Sequence, residues 1–394
     1  MIRSHTRLLP GAPLWFIALA LILGSLLGAL PINAQKKDSQ PAAPQATQET
    51  WSDFQPQGWV LTVPLTSSVS VSDPAGLQPL TAAYRTSVNG GGAWSDWSTT
   101  GLTVTGAVST TQFLTVTGLS FPDSATDNLL QFQIVNSLAV TLTSQAYTVT
   151  VDTVPPTSTI TSPLHDQIYR TVSSIAGAAG DATSGVITVS VSIRDTTTGL
   201  YWDGAAWGAS EAWLDASGTD SWMLTSNLPS WANGRAYVVR SRAHDTAGHV
   251  ETPGAGIRFI IDSLAPPPPI GLAAQPPGWS NSATFTVTWT APADASGIAA
   301  AYYKLDAVPT APTDGTRVVS SDINAGIAPA GDAIHFLYVW LEDGVGNVDH
   351  NQRAAVSLYV DRTAPGAPGG LTSLPDGWTN QNAFTETWSN PADL

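Results

Sequence analysis

At 394 residues without a single cysteine, the chain is too long for one ordinary domain and has no disulfide or thiolate chemistry open to it. Thirty acidic residues against fifteen basic ones give a net charge of −15, which argues against a nucleic-acid or anionic-membrane partner, because those need clustered Lys and Arg. Only 11% of residues are charged and Thr, Ser, Ala and Gly dominate, a composition for strands and turns rather than solvent-exposed helices.

Residues 1–34 read as an export signal. Arg3 and Arg7 supply the positive charge, Phe16 to Leu30 the apolar core, and Ile32-Asn33-Ala34 a cleavage site. A signal anchor is the alternative, since Ile32 is larger than the small residue usual there. Apart from this segment no membrane insertion is expected, and the mature chain should be secreted or held at the cell surface. Residues 35–50, rich in Pro, Gln and Ala without apolar periodicity, read as a disordered spacer.

Beyond the spacer the chain repeats. Asp152, Asp262 and Asp361 each end an alternating strand shortly before a proline, at intervals of 262 − 152 = 110 and 361 − 262 = 99 residues. This divides it into domain one (51–154), domain two (155–264), domain three (265–363) and the start of a fourth (364–394), as in a fragment of a longer protein. In domain one, Trp59–Val63, Thr81–Thr86, Phe113–Val116, Leu130–Ile134 and Tyr147–Val151 alternate as half-buried strands do. Asp73–Gly76, Asn89–Gly92 and Thr117–Gly118 read as the turns between them. Domain two offers Ile187–Ile193, Ala236–Arg240 and Ile257–Ile261, with an Asp203-Gly204 hairpin flanked by aromatics. Domain three opens on the prolines 266–269, a stiff extended junction. Pro56-Gln57-Gly58-Trp59, Pro276-Pro277-Gly278-Trp279 and Pro375-Asp376-Gly377-Trp378 mark module starts.

Asp343-Gly344-Val345-Gly346-Asn347, Asp361-Arg362-Thr363-Ala364-Pro365 and the short strands around them resemble bacterial immunoglobulin-like and fibronectin type III-like repeats of exported surface proteins. The resemblance runs from about Trp51 to the end of the chain. It implies an all-β fold of tandem immunoglobulin-like β-sandwich domains. Two copies depart from the pattern: His249 stands where the family has Asn, and domain one has Asn136 in place of the turn's Asp.

Each complete module has an acidic turn after its second strand, at Asp73, Asp181 and Asp294. In such a sandwich the loops after the second and sixth strands share one pole, where the chain enters. Asp181 and Asp245 should therefore meet Asp152, and Asp294 and Asp343 should meet Asp262. Three carboxylates with backbone carbonyls suit calcium, which takes six to eight oxygens. The competing reading makes each Asp and Gly a turn former and nothing more.

Trp202 and Trp207 are the candidates for stacking on sugar rings, against the commoner role of cross-strand pairing. For catalysis the chain offers neither a His-Glu-x-x-His nor a Gly-x-Ser-x-Gly motif, and His244 beside Asp245 has no nucleophile near it in sequence. The expected function is non-catalytic: an adhesive or structural stalk at the cell surface with an extracellular protein or glycan as partner. The alternatives are the accessory front of a larger secreted enzyme, a glycosidase or protease, and a set of carbohydrate-binding modules.

Overall fold

A computed structural model describes residues 49–105, 109–319, 322–380 and 382–393. The export signal and nearly all of the spacer lie outside the described residues. Every regular element among those described is a strand, and no helix there is long and apolar enough to cross a membrane.

Domain one is built from β1 (Thr50–Gln55), β2 (Leu65–Ser72), β3 (Leu77–Ser87), β4 (Leu102–Thr105), β5 (Thr111–Leu119), β6 (Leu129–Asn136), β7 (Thr141–Thr143) and β8 (Tyr147–Thr148). One sheet runs β1-β2-β5-β4; the other runs β3-β6-β7, with β8 also on β6. Domain two follows with β9 (Thr157–Ser162), β10 (Gln167–Tyr169), β11 (Ile175–Gly180), β12 (Val186–Asp195), β13 (Tyr201–Trp202), β14 (Trp207–Gly208), β15 (Leu214–Asp215), β16 (Ser221–Leu224), β17 (Ala236–Asp245) and β18 (Ile257–Ile261). Its sheets are β9-β11-β16 and β10-β18-β17-β12-β13-β14, with β15 against β12. Domain three has β19 (Ile270–Gln275), β20 (Trp279–Ser280), β21 (Phe285–Thr290), β22 (Ile298–Leu305), β23 (Thr316–Val318), β24 (Asp322–Ile327), β25 (Ala333–Asp343) and β26 (Val348–Val360). Its sheets are β19-β21-β24 and β20-β26-β25-β22-β23. A hairpin of β27 (Gly369–Leu374) and β28 (Thr385–Ser389) comes last, with Leu371, Trp378 and Phe384 exposed.

These strand orders are those of an immunoglobulin-like sandwich, in which strands one, two and five form one sheet and three, six and seven the other. In all three modules the entering strand changes sheets. It first runs antiparallel to the second strand, passes a cis X–Pro bond at Pro56, Pro163 or Pro276, and then pairs parallel with the last strand. The Pro-x-Gly-Trp signature marks this crossing in domains one and three.

The crossing corrects one sequence expectation. Trp59–Val63 alternates like a strand, yet only Val60 pairs, as an isolated bridge to Val151, because the chain is here passing between sheets. The Tyr147–Val151 strand likewise shortens to β8 plus that bridge. Thr117-Gly118 is not a turn; it lies inside β5 at an irregularity in the register with β2, where Gly118 takes a φ of +75°.

Each module has its own core, around Phe132 and Leu114 in domain one, Trp222, Tyr237 and Phe259 in domain two, and Phe285, Leu337 and Leu358 in domain three. The glycine at position 177 in β11 follows from this packing. Trp222 lies across Gly177, where a Cβ would come within 2.3 Å of the indole and 2.0 Å of the Thr159 carbonyl oxygen.

Candidate cation sites at the module junctions

The period of two in the sixth strand fixes where its last residue points. Inward-facing Leu130, Phe132 and Ile134 are followed on the same face by Asn136; Val239, Ser241 and Ala243 by Asp245; Val339 and Leu341 by Asp343. The alternation that buries the core therefore carries a polar side chain inward at the pole where the chain enters, and all three residues are buried there.

The turn that follows is the same in each copy. The backbone N–H of the first residue donates to the carbonyl of the residue four further on: Asn136 to Val140, Asp245 to His249, Asp343 to Asn347. The side-chain Oδ1 accepts backbone N–H groups inside the turn, from Leu138 and Val140, from Gly248 and His249, and from Val345 and Asn347. One oxygen thus builds the turn and the second side-chain atom faces the junction. The loop after the second strand is tied to this turn by one further bond: Gly76, Gly185 and Gly297, all at positive φ, accept at their carbonyls from the N–H groups of Ser137, Thr246 and Gly344.

What meets at the pole differs between copies. In domain one the Asn136 Nδ2 donates to the Asp73 Oδ2 at 3.4 Å, so an amide answers the single buried carboxylate. At the junction of domains two and three, Asp262, Asp294 and Asp343 converge with carboxylate oxygens within 4.8 Å of one another. The Ser296 N–H is shared between Asp262 Oδ2 and Asp294 Oδ1, at 3.0 Å each. Asn347 Nδ2 donates to Asp343 Oδ2 at 2.6 Å and to the Asp262 carbonyl at 2.9 Å, while its Oδ1 is buried without a partner. Burial, together with the neighbouring Asp262 and Asp343 carboxylates, holds the Asp294 carboxyl above the usual range, against the opposing pull of the Ser296 N–H. Among the described residues no Lys or Arg is ion-paired with these three carboxylates.

At the junction of domains one and two the set is Asp152, Asp245 and His249, again within 4.8 Å. Asp152 is fully buried; its Oδ1 accepts from the Val154 N–H and its Oδ2 has no partner. The His249 Nδ1 lies 3.2 Å from Asp245 Oδ2.

Asp181, expected here, is not in the cluster. The loop after the second strand is Asp181-Ala182-Thr183-Ser184-Gly185, one residue longer than Asp294-Ala295-Ser296-Gly297. The extra residue lets Asp181 turn back on its own loop, where Oδ1 accepts from the N–H groups of Thr183, Ser184 and Gly185. Burial raises its carboxyl, but those bonds outweigh it and leave the group below the ordinary range.

A second recurrent feature escaped sequence reasoning. The residue after each exit aspartate is clamped by the module it leaves: the N–H of Thr153 donates to Asp123 Oδ1 (3.0 Å), Ser263 to Asn233 Oδ1 (2.6 Å) and Arg362 to Asp332 Oδ1 (2.9 Å). Each acceptor lies in the loop before the sixth strand, and each stands 29 residues before its exit aspartate (152 − 123, 262 − 233, 361 − 332). That constant spacing was the available signal.

Trp202 and Trp207 form a cross-strand pair on β13 and β14, with ring centroids 5.3 Å apart. Both are half-buried and pack on the core of domain two, where Trp207 stacks on Tyr237 and the Trp202 Nε1 donates to the Asn227 carbonyl. The histidine beside Asp245 in sequence, His244, does not pair with it; His249 does.

No protein family and no curated protein matches the chain. Among solved structures it is similar to domains A168–A170 of titin (12% identity, 76% of this chain and 95% of that one, TM-score 0.31). It is also similar to the fibronectin(III)-like modules of Clostridium thermocellum CbhA (14%, 52% and 94%, TM-score 0.26). A third is the tetra-tandem repeat in the extending region of a large adhesion protein (16%, 84% and 78%, TM-score 0.27). At these scores none carries an argument about this chain, and the immunoglobulin-like assignment stands on the strand orders above.

Proposed function

We propose that the chain is an exported, non-catalytic array of immunoglobulin-like modules acting as an adhesive or structural stalk, with divalent cations, calcium at the second junction, fixing the angle between modules. The observation that carries this reading is the treatment of Asp262. Asn233 of the module behind clamps its neighbour Ser263, while Ser296 and Asn347 of the module ahead bind its carboxylate and its carbonyl. A linker held from both sides transmits orientation, which a spacer needs and a flexible tether lacks.

The charge balance calls for a cation. Carboxylates buried together are costly unless compensated. A dication among Asp262, Asp294 and Asp343 offsets most of their charge, and carboxylates are the hard oxygen donors that calcium takes. In domain one Asn136 supplies the compensation through its own amide, and no metal is required at that pole.

Calorimetric titration of the metal-free protein with calcium tests the cation. One equivalent should bind at the second junction and be lost in Asp262→Ala and Asp343→Ala, and calcium at ~100 times its Kd should add ~2.7 kcal/mol to stability. Absence of binding would reduce these aspartates to turn formers. Protease treatment of intact cells tests the location: digestion of the modules from outside is expected, and protection would end the stalk reading.

A further inference from the structure

We infer that the first junction, Asp152–Asp245–His249, is a mixed nitrogen and oxygen site for a borderline transition dication of the zinc class, and that His249 sets this choice. The inference rests on the reading of the junctions as cation sites and assigns the two of them different metals.

His249 and Asn347 occupy one position in two copies of one turn. Each is the fourth residue after the turn aspartate, each donates its N–H to that aspartate's Oδ1 (2.8 and 2.7 Å), and each accepts from its backbone N–H. The side chains then differ in chemistry. Asn347 turns its Nδ2 onto Asp262 and Asp343 and keeps an oxygen free. His249 brings a ring nitrogen among the carboxylates instead. Carboxylate and carbonyl oxygens suit calcium and magnesium, whereas imidazole suits zinc, copper, nickel and iron.

The number of donors changes in the same direction. Withdrawal of Asp181 onto its own loop leaves two carboxylates and one imidazole, too few for a calcium shell of six to eight oxygens. Three protein ligands and one open position are a normal set for a tetrahedral ion. Two ligands each about 2.0–2.1 Å from such an ion stand about 3.3 Å apart. His249 Nδ1 and Asp245 Oδ2 are 3.2 Å apart. Asp152 Oδ2, fully buried and without a partner, is the third donor and an independent sign that something is missing from its hydrogen bonding. The two carboxylates also carry the charge that neutralises one dication.

The test uses the full chain stripped of metal and titrated separately with Zn2+, Co2+ and Ca2+. One equivalent of Co2+ should give the strong visible absorption of tetrahedral cobalt with a nitrogen ligand, and Zn2+ should displace it. In His249→Asn, which installs the residue that the second junction already tolerates, and in Asp152→Ala, the affinity for Zn2+ and Co2+ should fall at least tenfold while the calcium isotherm is unchanged. Zinc binding that persists in His249→Asn belongs to the other histidines and overturns the assignment, as does a wild-type chain that takes calcium but no zinc. The latter outcome leaves the calcium-braced second junction standing. Failure of all three metals to bind removes both.

Discussion

Asp195 shows how a module without disulfides keeps a charge inside. It sits at the end of β12, 2% exposed, and its carboxylate receives the Arg235 guanidinium and the N–H groups of Thr197 and Thr198. Burial pushes this carboxyl up, but Arg235 and the two N–H groups outweigh it, so the folded-state value lies below the ordinary one. The sign follows: the unfolded chain takes up its proton first as pH falls, so the stability that Asp195 contributes is present above about pH 4 and is lost below it. Thermal melts from neutral to acid pH should show domain two losing stability across that window, and Asp195→Asn should flatten the slope there; an unchanged slope would mean that the ion pair contributes nothing. Gly177 gives a steric counterpart. Its missing Cβ is what lets Trp222 and the Thr159 carbonyl approach, so Gly177→Ala should cost domain two about 3 kcal/mol, at the upper end for overpacking, seen as a lower melting midpoint.

At the scale of the element, the turn after the sixth strand and the clamp before it differ in how far the sequence announces them. The turn was legible because three signals coincide at Asp343: a period-two run ending on an inward residue, a carboxylate able to accept from its own turn, and Gly346 at positive φ. The convergence of Asp262, Asp294 and Asp343 followed from strand order alone. Asp181 did not follow, because one inserted residue redirects a side chain without altering the Asp-to-Gly pattern around it. The clamp is harder to read for another reason: Asp123, Asn233 and Asp332 sit in loops of unrelated sequence, and only the constant spacing links them to the backbone N–H they accept from and to the hydroxyl of Thr153, Ser263 or Thr363 that each also takes. The clamp should govern orientation more than stability. Asn233→Ala removes the acceptor of the Ser263 N–H and of its hydroxyl, both near the surface, the shorter bond worth about 1 kcal/mol. The melt of domain two should therefore change little, while residual dipolar couplings should report a wider spread of angles between domains two and three. A single unchanged alignment in Asn233→Ala would show that the bonds from Ser296 and Asn347 suffice alone.

For the whole molecule, the proposed stalk would owe its stiffness to the ends of its modules, where buried polar groups meet in different ways. An amide serves domain one, an imidazole enters the first junction, and three carboxylates gather at the second. Each sandwich keeps its own core, so losing a junction cation should leave the modules folded and free only the angles between them. Chelation should therefore alter small-angle scattering, through a broader distribution of intramolecular distances, while far-ultraviolet circular dichroism stays constant. Calcium should restore the scattering of the wild-type chain but not that of Asp262→Ala. The choice of this variant matters, because Asp262 belongs to the linker and to neither core, so its loss does not empty a packed interior. Scattering that is the same with calcium and with chelator would place the stiffness in the hydrogen-bonded clamps, and a concurrent loss of strand signal would mean that the cation holds the modules themselves together.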